Sequence, residues 1–221
     1  MATRAVDARS RRYDPAETRQ RVLEAANMLF STRGFVRTGT ADIAREADVS
    51  EGSIFYHFGS KRNLLTELGR MYGARMVEAM HLPGEALNEL GPRSTILRCF
   101  AYCETNKVWE TIVSGGSEAG CTKADTPAHH HPEAEPFYLA SRDVVVEWVE
   151  RQIAAVLARQ GRTDVNVPIA ASLTYAAVSN ALDAAFRPGV SPDERNAIRD
   201  ETIRYVTAAE GWTPAPTAAN D

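Results

Sequence analysis

The sequence has few cysteines and no long apolar run, and both absences limit its class. Only Cys99, Cys103 and Cys121 occur among 221 residues, and an odd number of cysteines favours reduced thiols over a disulfide framework. No stretch of about 18 apolar residues is present, and no apolar segment follows the basic N-terminus, so neither a membrane span nor a signal peptide is expected. We therefore expect a cytoplasmic protein with no membrane partner.

The short motifs of common enzyme classes are also absent. The sequence contains no GxSxG, P-loop, GxGxxG or HExxH pattern, so we expect neither a cofactor nor an enzyme. Cys121 precedes the run His129, His130 and His131, but this spacing matches no zinc pattern and adjacent histidines do not readily converge on one ion. We predict a solvated or pocket-covering loop, with a metal site or a metal-dependent enzyme as the alternatives.

Cys99 and Cys103 lie four residues apart, on one face of a helical pattern. Free cysteines are usually buried packing residues, whereas a redox-sensing pair needs reactive thiolates. We predict packing, and redox sensing stays open as the alternative.

The charge is unevenly distributed along the chain. Residues 1 to 70 hold 12 Lys or Arg against 9 Asp or Glu, so this part carries +3 of a total of −4 and the remainder carries −7. A positive N-terminal part on an acidic body suits a DNA-binding domain attached to a domain that does not bind DNA.

The stretch from residue 40 to residue 61 reads TADIAREADVSEGSIFYHFGSK and contains two short helical patterns separated by a turn. Thr38 or Thr40 can cap the first helix, and Ser50 can cap the second. Asp48 stands where the turn needs a left-handed backbone, which Asp tolerates less readily than Gly. This layout predicts a helix-turn-helix. The apolar positions expected to face inward are Ile43, Ala44, Ala47, Val49, Ile54 and Phe58.

The second of these helices leaves a polar and aromatic surface on its outer side, which suits a helix that lies in the major groove of DNA. The glycine permits close approach, the hydroxyl groups can hydrogen-bond to base edges or phosphates, and the phenylalanine can contact a thymine methyl. Basic side chains at the end of the helix can hold phosphates. The predicted DNA-binding residues are Thr40, Ser50, Glu51, Gly52, Ser53, Phe55, Tyr56, His57 and Lys61.

The remaining chain shows helical periodicity without strand-like alternation or internal repeats, so we predict an all-α fold. Asp14 and Pro15 start the first helix, and Phe35 and Val36 are expected to fill the core of the three-helix unit. Predicted divisions are a disordered basic arm (1–13), a helix-turn-helix DNA-binding domain (14–60), a second helical domain (61–212) and a flexible tail (213–221). Helices of the second domain are predicted after Ser60 up to Pro83, from Pro92 to Gly115, from Phe137 to Gln160, from Val167 to Phe186 and from Ser191 onward.

Seventeen positions around the helix-turn-helix fall into one register without a gap. They are Gly34, Phe35, Thr38, Asp42, Ile43, Ala44, Ala47, Val49, Ser50, Gly52 to Phe58 and Lys61. Over roughly residues 15 to 65 the chain thereby resembles the N-terminal signature of the TetR family of bacterial transcriptional regulators. Asp48 and Phe55 depart from the Gly and Tyr that are usual in the family, which leaves the operator contacts open. Glu51 can accept from a cytosine amino group or simply favour the helix N-terminus.

The resemblance implies a second domain that binds a small-molecule effector and pairs two chains, with the last two long helices forming a four-helix bundle with the partner. The residues alone show only apolar faces, which can equally be core. Large or soft residues at inward positions, with a few polar groups, predict an apolar pocket for a hydrophobic or aromatic effector, although each aromatic can instead belong to the packed core. The predicted ligand-binding residues are Phe100, Cys103, Glu104, Trp109, Phe137, Tyr138, Trp148, Tyr175 and Asn180.

The resulting functional prediction is a homodimeric, ligand-responsive transcriptional repressor that binds a palindromic double-stranded DNA operator and is released by a small hydrophobic or aromatic effector. The alternatives are an effector-activated regulator, an architectural DNA-binding protein, and a metal-dependent enzyme in the second domain. The sequence does not distinguish repressor from activator.

Overall fold

The computed structural model describes residues 14–87, 89–105, 135–187 and 189–211, and over these residues the chain folds into eight α-helices without a strand. The prediction of an all-α fold is therefore confirmed. The predicted arm and tail, Trp109, Cys121 and the three adjacent histidines lie outside the described residues. The helices are α1 (Pro15–Arg33), α2 (Thr40–Glu46), α3 (Glu51–Phe58), α4 (Lys61–Met80), α5 (Pro92–Thr105), α6 (Glu135–Gln160), α7 (Val167–Ala185) and α8 (Pro192–Glu210).

Side-chain caps define where several of these helices begin. The Asp14 carboxylate accepts from the backbone N–H groups of Ala16 and Glu17, and Ser50, Ser60 and Ser191 each accept from the N–H three residues on. These bonds satisfy backbone donors that a helix leaves unpaired in its first turn. The cap predicted at Ser50 is confirmed, and the other three helices begin where the sequence predicted their starts.

The start of α2 differs from the prediction. Gly39 is the capping residue, and its N–H donates to the Asp42 carboxylate at 3.2 Å. Thr40 is the first helical residue, so its hydroxyl is free to point elsewhere. Thr38 is fully buried and donates to the Gly34 carbonyl at 2.9 Å. Neither threonine caps the helix, because the chain meets its first-turn requirement with a carboxylate three residues after the cap.

A single apolar cluster joins α1, α2, α3 and the first half of α4. Phe35 packs against this cluster, with its ring edge-on to Phe30 at a centroid distance of 5.2 Å. Val36 is exposed, so the expectation that it fills the core was wrong, because the Phe35 ring already occupies that position. The buried members are Val22, Leu23, Ala25, Ala26, Leu29, Phe30, Ile43, Ala44, Ala47, Ile54, Phe58, Leu64, Leu65, Leu68 and Phe137.

α4 and α6 approach each other closely along α4's glycine face. A Cβ atom at Gly69 would lie 2.2 Å from the Phe137 carbonyl oxygen, and one at Gly73 would lie 2.7 Å from the Ser141 carbonyl oxygen. The two glycines are four residues apart and thus on one side of α4. The backbones of α4 and α6 therefore touch without intervening side chains.

The other helices pack around the rear half of α4 in two further apolar clusters. One centres on Met80, Cys99 and Trp148, and the other joins Phe100 of α5 to Ile203 of α8. Within the described ranges, no helix combines the length and the apolarity that a bilayer crossing needs.

Replacing Gly69 with Ala tests the backbone contact. We expect Gly69→Ala to lower the free energy of unfolding by about 1–3 kcal/mol, because the methyl group overlaps a carbonyl that is fixed in α6. Urea unfolding followed by circular dichroism measures this change.

Gly52→Ala is the matched control, because a Cβ there meets only the Ser50 hydroxyl at 3.7 Å. It should gain up to about 1 kcal/mol from the better helix propensity of Ala. Equal effects of the two substitutions would contradict the backbone contact.

Candidate nucleic-acid interface and ligand cavity

The turn between α2 and α3 is held by backbone geometry and by α1. Asp48 has φ 51°, and it is the one non-glycine residue with positive φ in the described part of the chain. The left-handed turn predicted there is confirmed. The Val49 N–H donates to the Ala44 carbonyl at 3.0 Å, and the Arg21 guanidinium of α1 donates to the carbonyls of Ala47 and Asp48 at 3.1 and 3.4 Å. These bonds fix the angle between α2 and α3.

α3 separates its residues into a buried and an exposed side, as predicted. Ile54 and Phe58 are buried, whereas 49% of Phe55 and 79% of Tyr56 are exposed. Glu51 and Gly52 are also exposed, and Ser53 and His57 are half-buried. An exposed aromatic pair on a short, well-braced helix is a poor arrangement for contact with water alone, and it matches a surface that docks on another molecule.

Hydrogen bonds hold the polar groups on this face. The Ser50 hydroxyl accepts from the Ser53 N–H at 3.1 Å and lies 2.8 Å from the Ser53 hydroxyl. The Thr40 hydroxyl donates to the Glu51 carboxylate, which ties α2 to the first turn of α3. The side chains at the start of both helices are therefore oriented before any ligand binds.

Two basic side chains flank the aromatic face. The Lys61 Nζ lies 4.1 Å from the centroid of the Phe35 ring, and the His57 ring is edge-on to Tyr56 at 5.1 Å. The ring contact limits the freedom of the ammonium group while leaving it a strong donor. The predicted DNA-binding residues thus lie on α3, at its cap, and at the first residues of α2 and α4.

A cavity of about 720 Å³ lies between α4, α5, α6, α7 and α8. Six of the predicted ligand-binding residues are in its wall, namely Cys103, Phe137, Tyr138, Trp148, Tyr175 and Asn180. Phe100, on α5, is instead buried against Phe186, and the centroids of the two rings are 6.0 Å apart. Glu104 is exposed, and it accepts from Arg195 at 2.9 Å. Both residues therefore tie α5 to the end of the chain and do not face the cavity.

Sequence reasoning missed most of the polar residues of this wall. Tyr72, Cys99, Asp183 and Glu210 line the cavity together with the predicted set. Asp183 offered a signal, because it is the one acidic residue in the alanine-rich helix α7, but acids on predicted helices are usually solvated. Nothing in the local pattern around residue 210 indicated burial.

The tyrosines of the wall and the Cys103 thiol stay protonated near neutral pH. Burial raises the pKa of Tyr72, Tyr138 and Tyr175. The hydrogen bond with Cys99, followed by burial, raises the pKa of Cys103. These groups are therefore hydrogen-bond donors, and the raised thiol pKa disfavours the thiolate that redox sensing needs.

Glu210, the last residue of α8, is an acidic group inside the cavity wall. Its carboxyl accepts a hydrogen bond from the Thr174 hydroxyl of α7 at 3.1 Å. Burial raises the pKa of Glu210 to about 7, although the Thr174 hydrogen bond acts in the opposite direction. The nearby Arg162 guanidinium donates to the Glu210 backbone carbonyl at 3.3 Å, and it pairs with the Asp164 carboxylate at 3.0 and 3.1 Å.

Phe137 connects the cavity to the N-terminal unit. Its side chain is a member of the cluster that contains Leu64, Leu65 and Leu68, and it is also part of the cavity wall. Tyr72 bridges the same region, with ring centroids 5.6 Å apart from Phe137. A molecule in the cavity can therefore contact side chains that support the helix-turn-helix.

The outer face of α7 and α8 is apolar and exposed in the single chain. α7 buries only Ala171 and Ala185, whereas 58% of Ile169 and 65% of Leu173 are exposed. Tyr205 adds an exposed aromatic ring on α8.

Among the described residues, no group of three or more His, Cys, Asp or Glu side chains is arranged to hold a metal ion.

Comparisons with known proteins agree with this arrangement. The family model described as bacterial regulatory proteins, tetR family, matches residues 22–68. The regulator AcrR of Shigella flexneri is 33% identical over 88 residues, which cover 38% of this chain and 41% of AcrR. The transcriptional repressor AcnR of Corynebacterium glutamicum is 36% identical over 66 residues, which cover 30% of this chain and 35% of AcnR. The chain thus matches less than half the length of these relatives.

The similarity of fold extends further than that of sequence. The structure of Salmonella enterica GusR aligns with a TM-score of 0.62 at 18% identity, over 92% of this chain and 100% of GusR. Together, the fold and the exposed face of α3 define a helix-turn-helix protein with a helical second domain. Over residues 22–68 the chain is similar to the N-terminal part of the tetR family of bacterial regulatory proteins.

The Glu210 carboxyl should make the stability of the protein depend on pH. The unfolded carboxyl ionises near its ordinary value of 4.5, whereas burial holds the proton in the folded chain up to about pH 7. The unfolded state therefore binds fewer protons between these values, and the free energy of unfolding falls as pH rises from about 4.5 to about 7, by about 1–3 kcal/mol.

Glu210→Gln removes this dependence because the amide resembles the protonated acid. We expect the variant and the parent to be similar near pH 4.5 and the variant to be the more stable above pH 7, as measured by urea unfolding across the range. Glu147→Gln, at an exposed acid of α6, should give no such divergence. A constant difference between parent and Glu210→Gln at all pH values would contradict the buried carboxyl.

Proposed function

We propose that this chain is a transcriptional repressor that binds an operator as a homodimer through α3 and is released by a small molecule in the cavity. The observation that carries the proposal is the exposed Phe55 and Tyr56 face on a buried and braced helix-turn-helix. One relative, AcnR, is named as a transcriptional repressor, which supports the negative sign of regulation for this chain.

The interface offers both parts of DNA recognition. Tyr56 and Phe55 can reach base edges and thymine methyls in the major groove, while Lys61 and the N–H groups of the first turn of α4 can contact phosphates. Thr40 and Glu51 hold the two helices in register. Phosphate contacts supply most of the affinity, so binding should weaken steeply as salt rises.

The shortness of the recognition helix α3 supports a dimer. One short recognition helix reads few base pairs, and proteins of this type read two half-sites about one helical turn apart. The exposed apolar face of α7 and α8 supports pairing, because Ile169 and Leu173 on one chain can be covered by the same face of a second chain.

Release by an effector requires that the cavity and the DNA-binding surface be coupled. Phe137 and Tyr72 belong to the cavity wall, and Phe137 also packs on α4 inside the N-terminal cluster. A ligand that displaces α6 would move α4 because their backbones are in contact at Gly69 and Gly73. It would then favour a state in which the two α3 helices no longer fit adjacent major grooves.

Tyr56→Ala tests the recognition face. We expect a roughly 5- to 150-fold loss of affinity for a specific duplex, because the exposed ring and its hydroxyl contribute contacts worth about 1–3 kcal/mol. The duplex is isolated from a genomic fragment library by retention on the protein at fixed salt, and fluorescence anisotropy measures its affinity.

Leu82→Ala, at an exposed position after α4, is the control and should leave the affinity unchanged. Both variants should unfold at the parent's urea midpoint. Unchanged affinity in Tyr56→Ala would contradict the assigned surface, and equal affinity for unrelated duplexes would favour an architectural role.

Leu173→Glu tests the dimer. A carboxylate in the centre of an apolar interface has no partner and must be desolvated. We therefore expect the dissociation constant of the dimer to rise at least a hundredfold. Light scattering coupled to size exclusion measures the mass as a function of concentration.

Leu82→Glu places the same charge on an exposed leucine outside α7 and α8 and should retain the doubled mass. A parent protein that is monomeric at all concentrations, or a Leu173→Glu variant that remains dimeric, would contradict this interface.

A further inference from the structure

The cavity contains a carboxyl group at the end of a helix where a cation would be favoured. Glu210 ends α8, and the N–H of Gly211 closes that helix. The C-terminal end of a helix carries a partial negative charge, which adds to the field of the carboxylate. Among the described residues, the one hydrogen bond made by the side chain comes from the neutral Thr174 hydroxyl.

The charged neighbours of Glu210 leave its carboxyl without a counter-charge in the described part of the chain. Arg162 faces it from the segment between α6 and α7, but its guanidinium pairs with Asp164 and reaches only the Glu210 backbone carbonyl. Arg142, the one basic side chain in the cavity wall, donates to Asp143 at 2.7 Å. Residues 212–221 contain no Lys, Arg or His.

The rest of the wall supplies apolar and aromatic surface. Trp148 is almost fully buried, and its indole N–H has no hydrogen-bond partner among the described residues. Val149, Val178 and Val206 line the cavity on the helices that carry or face Glu210. Along α7, Thr174 and Asp183 are separated by a rise of roughly 13 Å, since each helical residue advances about 1.5 Å. The cavity therefore accepts an elongated molecule rather than a compact ion.

We propose that the effector is an amphiphilic organic amine whose ammonium group binds Glu210 and whose apolar or aromatic body lies against Trp148, Tyr175 and Phe137. This inference rests on the proposed function only in calling the ligand an effector. An ammonium ion within hydrogen-bond distance of a buried carboxylate restores the charged form that burial disfavours, and aromatic rings nearby favour a cation further.

Three compounds with the same body and different head groups test the charge preference. They are 4-phenylbutylamine, 4-phenylbutan-1-ol and 4-phenylbutyrate, titrated into the purified full-length protein by calorimetry at pH 8, where Glu210 is ionised. The amine should bind at least tenfold more tightly than the alcohol, and the carboxylate should bind most weakly. No binding of the amine at millimolar concentration, or equal binding of amine and alcohol, would overturn the proposal.

Glu210→Gln assigns the preference to one residue. The variant should bind the amine no more tightly than the alcohol and should keep the parent's affinity for the alcohol, whereas Glu147→Gln should behave as the parent. A tenfold preference for the amine that survives Glu210→Gln would overturn the assignment to Glu210.

The pH dependence provides a second readout. Burial holds the Glu210 pKa at about 7, so its charged fraction falls about tenfold between pH 8 and pH 6 and the amine affinity should fall accordingly. Besides the tyrosines and thiols of the wall, the ionisable groups around the cavity in the described part of the chain are Asp143, Asp183, Arg142, Arg162 on the Glu210 carbonyl and, behind Trp148, His81. Glu210→Gln separates the titration of Glu210 from that of these groups. In this variant the amine affinity should no longer depend on pH between pH 6 and pH 8. An unchanged pH dependence would overturn the proposal.

These titrations contain no DNA, so their outcome is separate from that of the repressor proposal. Specific DNA binding without a preference for the amine would refute the amine inference alone. A preference for the amine with no specific DNA binding would refute the repressor proposal and leave the Glu210 site in place.

Discussion

The contact of α4 with α6 at Gly69 and Gly73 is the constraint on which the rest of the molecule depends. A carbonyl oxygen of α6 occupies the space where a side chain of α4 would lie. This close approach brings Phe137 into the core beneath the helix-turn-helix and at the same time leaves its ring in the cavity wall. Because packed backbones are nearly incompressible, a displacement of α6 is passed to α4 instead of being absorbed between them.

Acidic side chains have different surroundings in the two halves of the chain. In the N-terminal unit, Asp42 accepts from the Gly39 N–H and from Arg45, and Glu51 accepts from the Thr40 hydroxyl. These bonds keep the carboxylates engaged near the helix starts, beside the exposed aromatic face of α3. In the second half, acids such as Glu210 lie in the wall of a cavity. The same charge type thus serves helix geometry in one place and lines a cavity in the other.

The fold was largely predictable from the sequence, because its signals are local. Caps at Asp14, Ser50 and Ser60 and the positive φ at Asp48 depend on a few adjacent residues. The same holds for the buried and exposed sides of α3, since helical periodicity alone separates Ile54 from Tyr56. The threonine cap predicted for α2 was wrong, because Gly39 is the capping residue and the Asp42 carboxylate accepts from its N–H.

The cavity was only partly predictable, because its wall is assembled from five helices. The aromatic members were found by size and inward position, whereas Phe100 has the same pattern and packs on Phe186 instead. Glu210 could not be found, since its burial depends on Thr174 of another helix. Glu104 is the opposite case. It lies within an apolar sequence pattern, yet it is exposed and pairs with Arg195.

The position of Glu210 also determines how a ligand anchored there could act on DNA binding. α8 packs on α5 and α7, whereas α4 packs on α5 and α6. A ligand that contacts only the carboxyl therefore gains affinity without favouring either arrangement of α4, and a ligand with equal affinity for both states shifts nothing. Its body must reach Tyr72 or Phe137 to prefer one of them. A differential affinity of about 1–3 kcal/mol, a factor of roughly 5–150, is the typical coupling between sites, and burying one or two additional ring contacts supplies that amount. The ammonium group would then set which molecules enter the cavity, and the length of the apolar body would set which of them release DNA.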